Sequence, residues 1–190
     1  MMDLLDRSPY QFVLEHREQD LKVLVGFKHR TFNGEDLRYF ISALQLIYQR
    51  YGGLEACFCQ SGPTKDLQQA IVGFKELFFS LPHPQRTTKH ISDPSKGSAA
   101  KRLNMFLRWM VRPADRGVDF GLWKTIAPAQ LSCPLDVHSG RVARKLKLIK
   151  RKQNDARTVV ELDRSLRRLD PADPVKYDYA LFGLGVFERF

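Results

Sequence analysis

Two segments of this 190-residue chain carry residue types able to do chemistry. The first reads Gly97-Ser-Ala-Ala-Lys101-Arg-Leu-Asn-Met-Phe-Leu-Arg-Trp-Met-Val111, a turn leading into a helix with a lysine in its first turn. The second reads Pro134-Leu-Asp136-Val-His138-Ser-Gly-Arg141-Val-Ala-Arg144, an aspartate at the mouth of a helix, followed by basic residues. A lysine amine that has shed its proton attacks an electrophilic carbon and leaves a Schiff base. A carboxylate at a helix N-terminus has its charged form favoured by the helix dipole and by free N–H groups. Such a carboxylate stabilises positive charge that builds on a substrate. Taken singly, both have plainer readings: Asp is a common N-cap, and Lys101 is one helical lysine among many. His138 reads as a hydrogen-bonding or phosphate-facing histidine rather than a catalyst.

The elements that must hold these residues are helical, and convincing alternating strands are absent. Ser8-Pro9 opens a short helix to about His16 by cap and first-turn proline. Asn33 or Gly34 starts a longer one to about Tyr51, with Leu37, Phe40, Ile41, Leu44 and Ile47 as its stripe and Gly52-Gly53 as its stop. Thr64 caps the next, in which Leu67, Ala70, Ile71, Phe74, Leu77 and Phe78 repeat at helical spacing until Pro82 and Pro84. After a polar, basic connection over 82–97, a helix runs from about Ser98 to Val111. Its predicted buried face is Leu103, Phe106, Leu107, Met110 and Val111, with Lys101, Met105, Arg108 and Arg112 opposite. Residues 113–135 are irregular, and Phe120, Leu122 and Trp123 are expected to fold back on the core. Trp109, Phe120 and Trp123 read as core rather than as a base-stacking platform. Asp136 precedes a helix with Val142, Ala143, Leu146 and Ile149 on one face. Asn154 caps another, with Val159, Leu162, Leu166 and Leu169 as its stripe. Asp173-Pro174 opens the last, loosened by Gly183 and Gly185. The fold class is all-α, a single helical domain over 1–190.

Charge points to a polyanion. The net charge is +10, concentrated in two runs. Residues 86–112 hold seven Lys/Arg against Asp93, and 141–157 hold eight against Asp155, so the rest of the chain is net acidic. Two basic runs flanking one candidate site suggest a nucleic-acid-binding face. The alternative is a solvated helix surface; Lys150-Arg151-Lys152 reads as a solvated loop that touches phosphate at most, and His29-Arg30 as a surface pair. At 43% hydrophobic residues the chain can bury a core. No apolar run is long enough for a membrane span, and the first residues lack the pattern of a secretion signal. A cytoplasmic protein without membrane association is expected. Cys57 and Cys59 lack zinc-knuckle spacing and have no matching second pair, so with Cys133 they read as reduced thiols, with no metal.

The segment 97–146 resembles the helix-hairpin-helix (HhH-GPD) glycosylase superfamily, which includes endonuclease III and the 8-oxoguanine DNA glycosylases. In it a Gly-containing hairpin leads into a helix with the catalytic lysine, and a V-D-x-H segment follows with the catalytic aspartate. The resemblance implies Lys101 and Asp136 in those roles, with His138 and Arg141 matching the histidine and arginine that often follow. Nearly the whole chain resembles a family of uncharacterised bacterial proteins within or beside this superfamily, through GFKHRTF (26–32), KRLNMFLRWMVR (101–112), CPLDVHSGRVARKL (133–146) and DPVKYDYALFGLGVFE (173–188). The resemblance divides the domain into N-terminal helices (1–81), a degenerate hairpin and catalytic-type segment (95–146) and C-terminal helices (154–190). Members of that family extend further upstream, so a domain without its first helices is expected. The hairpin departs from the usual L-P-G-V-G, and Gly97 alone fits it well. The iron–sulfur cysteines are absent, so no cluster and no other cofactor is expected.

The resemblance implies a DNA-repair glycosylase with AP lyase activity on damaged bases. It must take a base out of the duplex under a phosphate-holding surface. Lys96, Gly97, Arg102, Arg108, Arg112, His138, Arg141, Arg144 and Lys145 are the expected nucleic-acid contacts, to DNA or RNA. A non-catalytic nucleic-acid-binding module with the same fold, or a helical interaction domain, are the competing readings.

Overall fold

A computed structural model describes residues 1–60, 67–188 and 190. The fold is all-α, with short 3-10 turns between helices. The helices are α1 (Pro9–Glu15), α2 (Gly34–Arg50), α3 (Leu54–Cys59), α4 (Gln68–Phe78), α5 (Lys101–Val111), α6 (Val137–Lys145), α7 (Ala156–Leu169) and α8 (Asp178–Val186). Strands β1 (Lys28–His29) and β2 (Phe32–Asn33) pair antiparallel. They are too short to show the alternation by which a strand is recognised in sequence. The chain divides into two compact units, Met1–Cys57 with Phe74–Ile91, and Phe58–Gly73 with Ser92–Phe190. The expected cap Thr64 lies outside the described residues.

In the first unit α2 starts where its cap chemistry dictates. Asn33 Oδ1 accepts the Asp36 N–H and Asp36 Oδ2 accepts the Asn33 N–H, each at 3.0 Å, so two N–H groups that the helix start leaves free are satisfied reciprocally. Leu37 and Ile41 bury against Leu5, Phe12, Val13, Leu21 and Leu24. Phe40 and Leu44, expected in the same stripe, are only partly buried. Asp36 is fully buried and takes further hydrogen bonds from Thr87 Oγ1 (2.8 Å) and Arg86 Nη1 (2.8 Å), with His90 Nε2 at 3.2 Å. Burial pushes its carboxyl up, but the Asn33 N–H, Thr87, Arg86 and His90 together bring it below the ordinary carboxylate value. Ser8 precedes α1 as expected but makes no capping hydrogen bond.

In the second unit the fully buried residues include Val142 and Ala143 of α6 and Val159, Leu162 and Leu166 of α7. α6 and α8 approach closely at Gly185, where a Cβ would lie 2.9 Å from the His138 carbonyl oxygen. Four expectations need correction here. α7 is capped by Asp155, which accepts the Thr158 N–H at 2.9 Å, rather than by Asn154. Leu146 and Leu169, expected in their stripes, are exposed, whereas Ile149 is buried as expected. Phe120 and Leu122 face solvent and Trp109 is partly exposed; of the aromatic segment only Trp123 is core, with ring centroids 5.7 Å from Phe58 and 5.5 Å from Phe106. The last segment is a 3-10 turn, Pro174–Tyr177, followed by α8, which runs through Gly183 and Gly185 to Val186.

The largest departure is in α5. Of its predicted buried face, Leu107 and Val111 are buried as expected, but Leu103, Phe106 and Met110 are only partly so, and Asn104 and Arg108 are buried in their place. At 3.6 residues per turn the buried face is turned by roughly 80° toward the polar side. Among the described residues no helix is long and apolar enough to cross a membrane.

Candidate active site

Lys101 is the first residue of α5, and the segment before it is tied down at several points. Asp93 caps the 3-10 turn Pro94–Lys96 through the Ser95 N–H. Gly97 then turns the chain at φ +87°, in the left-handed region that glycine enters without cost. Its carbonyl accepts the Ala156 N–H at 3.0 Å, and Ser98 pairs with Asp155. Ala100 also sits left-handed, at φ +44°; this costs a residue with a Cβ roughly 1–2 kcal/mol. Asn104 Nδ2 donates to the Ala99 carbonyl at 3.0 Å, and Asn104 Oδ1 accepts from Gln68 Nε2 at 3.0 Å. The lysine therefore leaves a braced and locally strained turn, which sets its direction.

Asp136 caps α6. Its Oδ1 accepts the Ser139 N–H at 2.9 Å, and Ser139 Oγ accepts the Asp136 N–H at 2.9 Å. Its carbonyl accepts Asn154 Nδ2 at 2.8 Å, which anchors the 151–154 loop to the site. The second oxygen, Oδ2, accepts from Lys101 Nζ at 2.7 Å. The amine and the carboxylate, 35 residues apart, thus meet where the N-termini of α5 and α6 converge. Asp136 is 12% exposed at its side chain and Lys101 44% exposed. Burial raises the Asp136 carboxyl, but Lys101 and Ser139 reverse this and hold it below the ordinary range. A carboxylate so held is a poor proton acceptor and a good fixed negative charge. The N-terminal end of α5 is the positive end of its backbone dipole, an unfavourable place for an ammonium. Asp136 supplies the counter-charge.

The other expected contacts separate into distinct groups. Lys96, Gly97 and Arg102 are exposed near the Lys101 turn. His138 is exposed, with its ring edge-on to Phe182 at 5.8 Å. Lys145 lies over the Phe190 ring at 5.0 Å. Arg141 donates to the Gly185 carbonyl at 2.5 Å, and Arg144 donates to the Arg151 carbonyl (2.6 Å) and to Asn154 Oδ1 (2.6 Å). Both therefore spend hydrogen-bonding capacity on their own fold. Arg108 was expected on the open face of α5 and is instead 1% exposed. Its Nη1 donates to Asp178 Oδ2 at 2.5 Å, its Nε lies 3.4 Å from Asp119 Oδ1, and its guanidinium sits 3.9 Å from the Tyr179 ring centroid. Arg112 pairs with Asp119 (2.5 Å) and Asp173 (2.7 Å), hydrogen bonds that push its guanidinium up. Arg108 has no surface to offer a phosphate, and Arg112 is neutralised in place. A cation on a helix reads as solvent-facing unless its partners are known. Asp119, Asp173 and Asp178 are too scattered in sequence to announce themselves.

Sequence reasoning missed Ser139, Asn104 and Asn154, which brace the pair. The Asp136-x-x-Ser139 spacing was an available signal, since a polar residue three positions after a cap returns the cap's hydrogen bond. None of the three cysteines is bridged. Among the described residues no cluster of three or more His, Cys, Asp or Glu could hold a metal ion.

Comparison with known proteins places the chain in a family: it belongs to DUF2400, a family of proteins of unknown function, which it matches over residues 1–187. No curated protein and no solved structure matches it.

Proposed function

We propose that this DUF2400 chain is a DNA-repair enzyme of the HhH-GPD type, a DNA N-glycosylase with AP lyase activity on damaged bases. The observation that carries this reading is the 2.7 Å approach of Lys101 Nζ to Asp136 Oδ2 across 35 residues of chain, at a partly open surface. Once the amine has shed its proton, Nζ bonds to the sugar C1′, the N-glycosidic bond breaks, and the base leaves with the bonding electrons and takes up a proton. Asp136 stays ionised and offsets the positive charge that gathers on the sugar. The C1′ adduct opens to a Schiff base, and loss of a C2′ proton expels the 3′ phosphate and nicks the strand. Lys96, Arg102, His138 and Lys145, exposed in the same unit, are the remaining phosphate contacts. A cytoplasmic setting accompanies the reading, because unbridged cysteines persist there.

A second reading, a non-catalytic nucleic-acid-binding module of the same fold, is favoured by the Arg108 and Arg112 ion pairs. They leave less cationic surface near the pair than a tightly gripping enzyme uses. Duplexes with oxidised, deaminated or abasic positions separate the two. The enzyme reading predicts base release and nicking, nicking lost in Lys101→Ala, and a rate lowered by on the order of 10²-fold in Asp136→Asn. Salt-dependent binding of the same duplexes without release or nicking assigns the module instead. No nucleic-acid binding at all overturns both.

A further inference from the structure

The segment that follows α6 and the 161–168 stretch of α7 line an open cleft of about 600 Å³ that the Lys101–Asp136 chemistry leaves unused. Its charged lining is Lys147, Lys150, Arg164, Arg167 and Arg168 against Glu161 alone. Glu161 is already engaged, accepting the backbone N–H of Lys150 (2.7 Å) and of Arg151 (3.3 Å). Arg167 is built into the fold, donating to the carbonyls of Ala129 (3.3 Å) and Leu131 (3.0 Å). Lys147, Lys150 and Arg164 are exposed and have no ion-pair partner among the described residues. Arg164 and Arg168 are four residues apart on α7, a like-charge spacing that disfavours a helix.

Lys147 adds a second, independent observation. α6 closes with the Leu148 N–H on the Ala143 carbonyl (2.8 Å) and the Lys147 N–H on the Arg144 carbonyl (3.0 Å), with Lys147 at φ +58°. This is the left-handed closing position that glycine fills without a steric penalty. A lysine there is a poor choice for the fold, and it adds its charge to the cleft.

We propose that this cleft is a phosphate-binding site for the backbone of a nucleic acid, a second grip beyond the Lys101–Asp136 pair; it rests on the nucleic-acid reading above. Guanidinium forks and ammonium point charges together suit successive phosphates. The nine residues of α6, at 1.5 Å each, put the cleft roughly 13 Å along the helix from Asp136. That is on the order of four steps of one strand.

The test is duplex binding against salt for the wild type, for Lys150→Ala/Arg164→Ala and for Lys147→Gly, with thermal melts of each and an arm with inorganic phosphate alone. The double variant is expected to bind at least about tenfold more weakly near 0.15 M salt, with a log–log slope smaller by about 1.8. Lys147→Gly is expected to bind more weakly yet melt higher, a split that a merely structural lysine would not give. A wild type that binds duplex with variants of equal affinity and slope overturns the cleft and leaves the nucleic-acid reading standing. Absence of duplex binding by the wild type overturns both. A cleft that takes inorganic phosphate, losing it in the double variant, while duplex neither binds there nor competes, also overturns the assignment.

Discussion

Arg108 is the position where the structure makes its sharpest claim about stability. Replacing it with Met keeps much of the side-chain volume and removes the charge between Asp178 and Asp119. Asp119 keeps Arg112 at 2.5 Å, but Asp178, 3% exposed, has no other cation in an ion pair with it among the described residues. Breaking a buried pair by removing one partner costs about 3–5 kcal/mol. Tm should therefore fall by on the order of 10 °C for a chain of this size. The cost depends on pH. Burial already raises the Asp178 carboxyl while Arg108 pulls it down, so without Arg108 it rises further. The folded variant then holds a proton that the unfolded chain releases. Its stability falls as pH climbs from the unfolded value, about 3.9, toward neutrality. Urea unfolding followed by tryptophan fluorescence reads the right unit, because Trp109 and Trp123 both lie in 92–190. The loss relative to wild type should be smallest near pH 4 and largest near pH 7, and Arg108→Met/Asp178→Asn should recover more than half of it. A loss under about 1 kcal/mol at pH 7, or one that does not grow with pH, refutes the argument.

Other outcomes follow from the same geometry. Asp136→Ala removes the α6 cap and should cost about 1 kcal/mol, with less than about 1 kcal/mol more for the half-exposed Lys101 pair; Asp136→Asn, which can still cap, should retain most of that stability in the same urea assay. Gly185→Ala puts a Cβ 2.9 Å from the His138 carbonyl, and calorimetry should show a loss of about 1–3 kcal/mol from forced separation of α6 and α8. Asp36 and Asp136 are held below the ordinary carboxylate value, and Asp155, bonded by Arg151, is lowered to about 2. Depressed carboxylates contribute stability that is complete above the unfolded value and lost as pH falls through the folded one. Circular dichroism in urea should show a decline from about pH 4 toward pH 2; midpoints unchanged down to pH 3 contradict it.

Helices with strong local signals were legible from sequence. Asn33, Gly52 and the Val159–Leu162–Leu166 repeat each act within a few residues, so α2 and α7 fall within a residue or two of where those signals put them. α5 was legible as a helix but not in its facing. Its orientation is set by Asp119 and Asp178, 11 and 70 residues away from Arg108, and an apolar-stripe argument has no term for an ion pair that turns a helix. Phe120 and Leu122 failed for a related reason: in an irregular segment no period distinguishes which aromatic is inward, and Trp123 alone found the Phe58 and Phe106 rings. Lys101 and Asp136 were nameable only through motif order. Their meeting is a long-range packing event, and the braces that fix it, Asn104 and Asn154, are unremarkable residues until their hydrogen bonds are known. Lys147 and Lys150 were legible as members of the basic run 141–157, but the cleft they form with Arg164, Arg167 and Arg168 was not, because no spacing records the juxtaposition of its two elements.

The central claim is that the Lys101 amine forms the covalent bond to the sugar. Borohydride reduction of the protein with duplex containing an abasic site, followed by peptide mapping of any trapped adduct, tests it directly. The account predicts an adduct on the peptide bearing Lys101, absent in Lys101→Ala and formed more slowly in Asp136→Asn. An adduct on another lysine, or one that persists undiminished in Lys101→Ala, contradicts it.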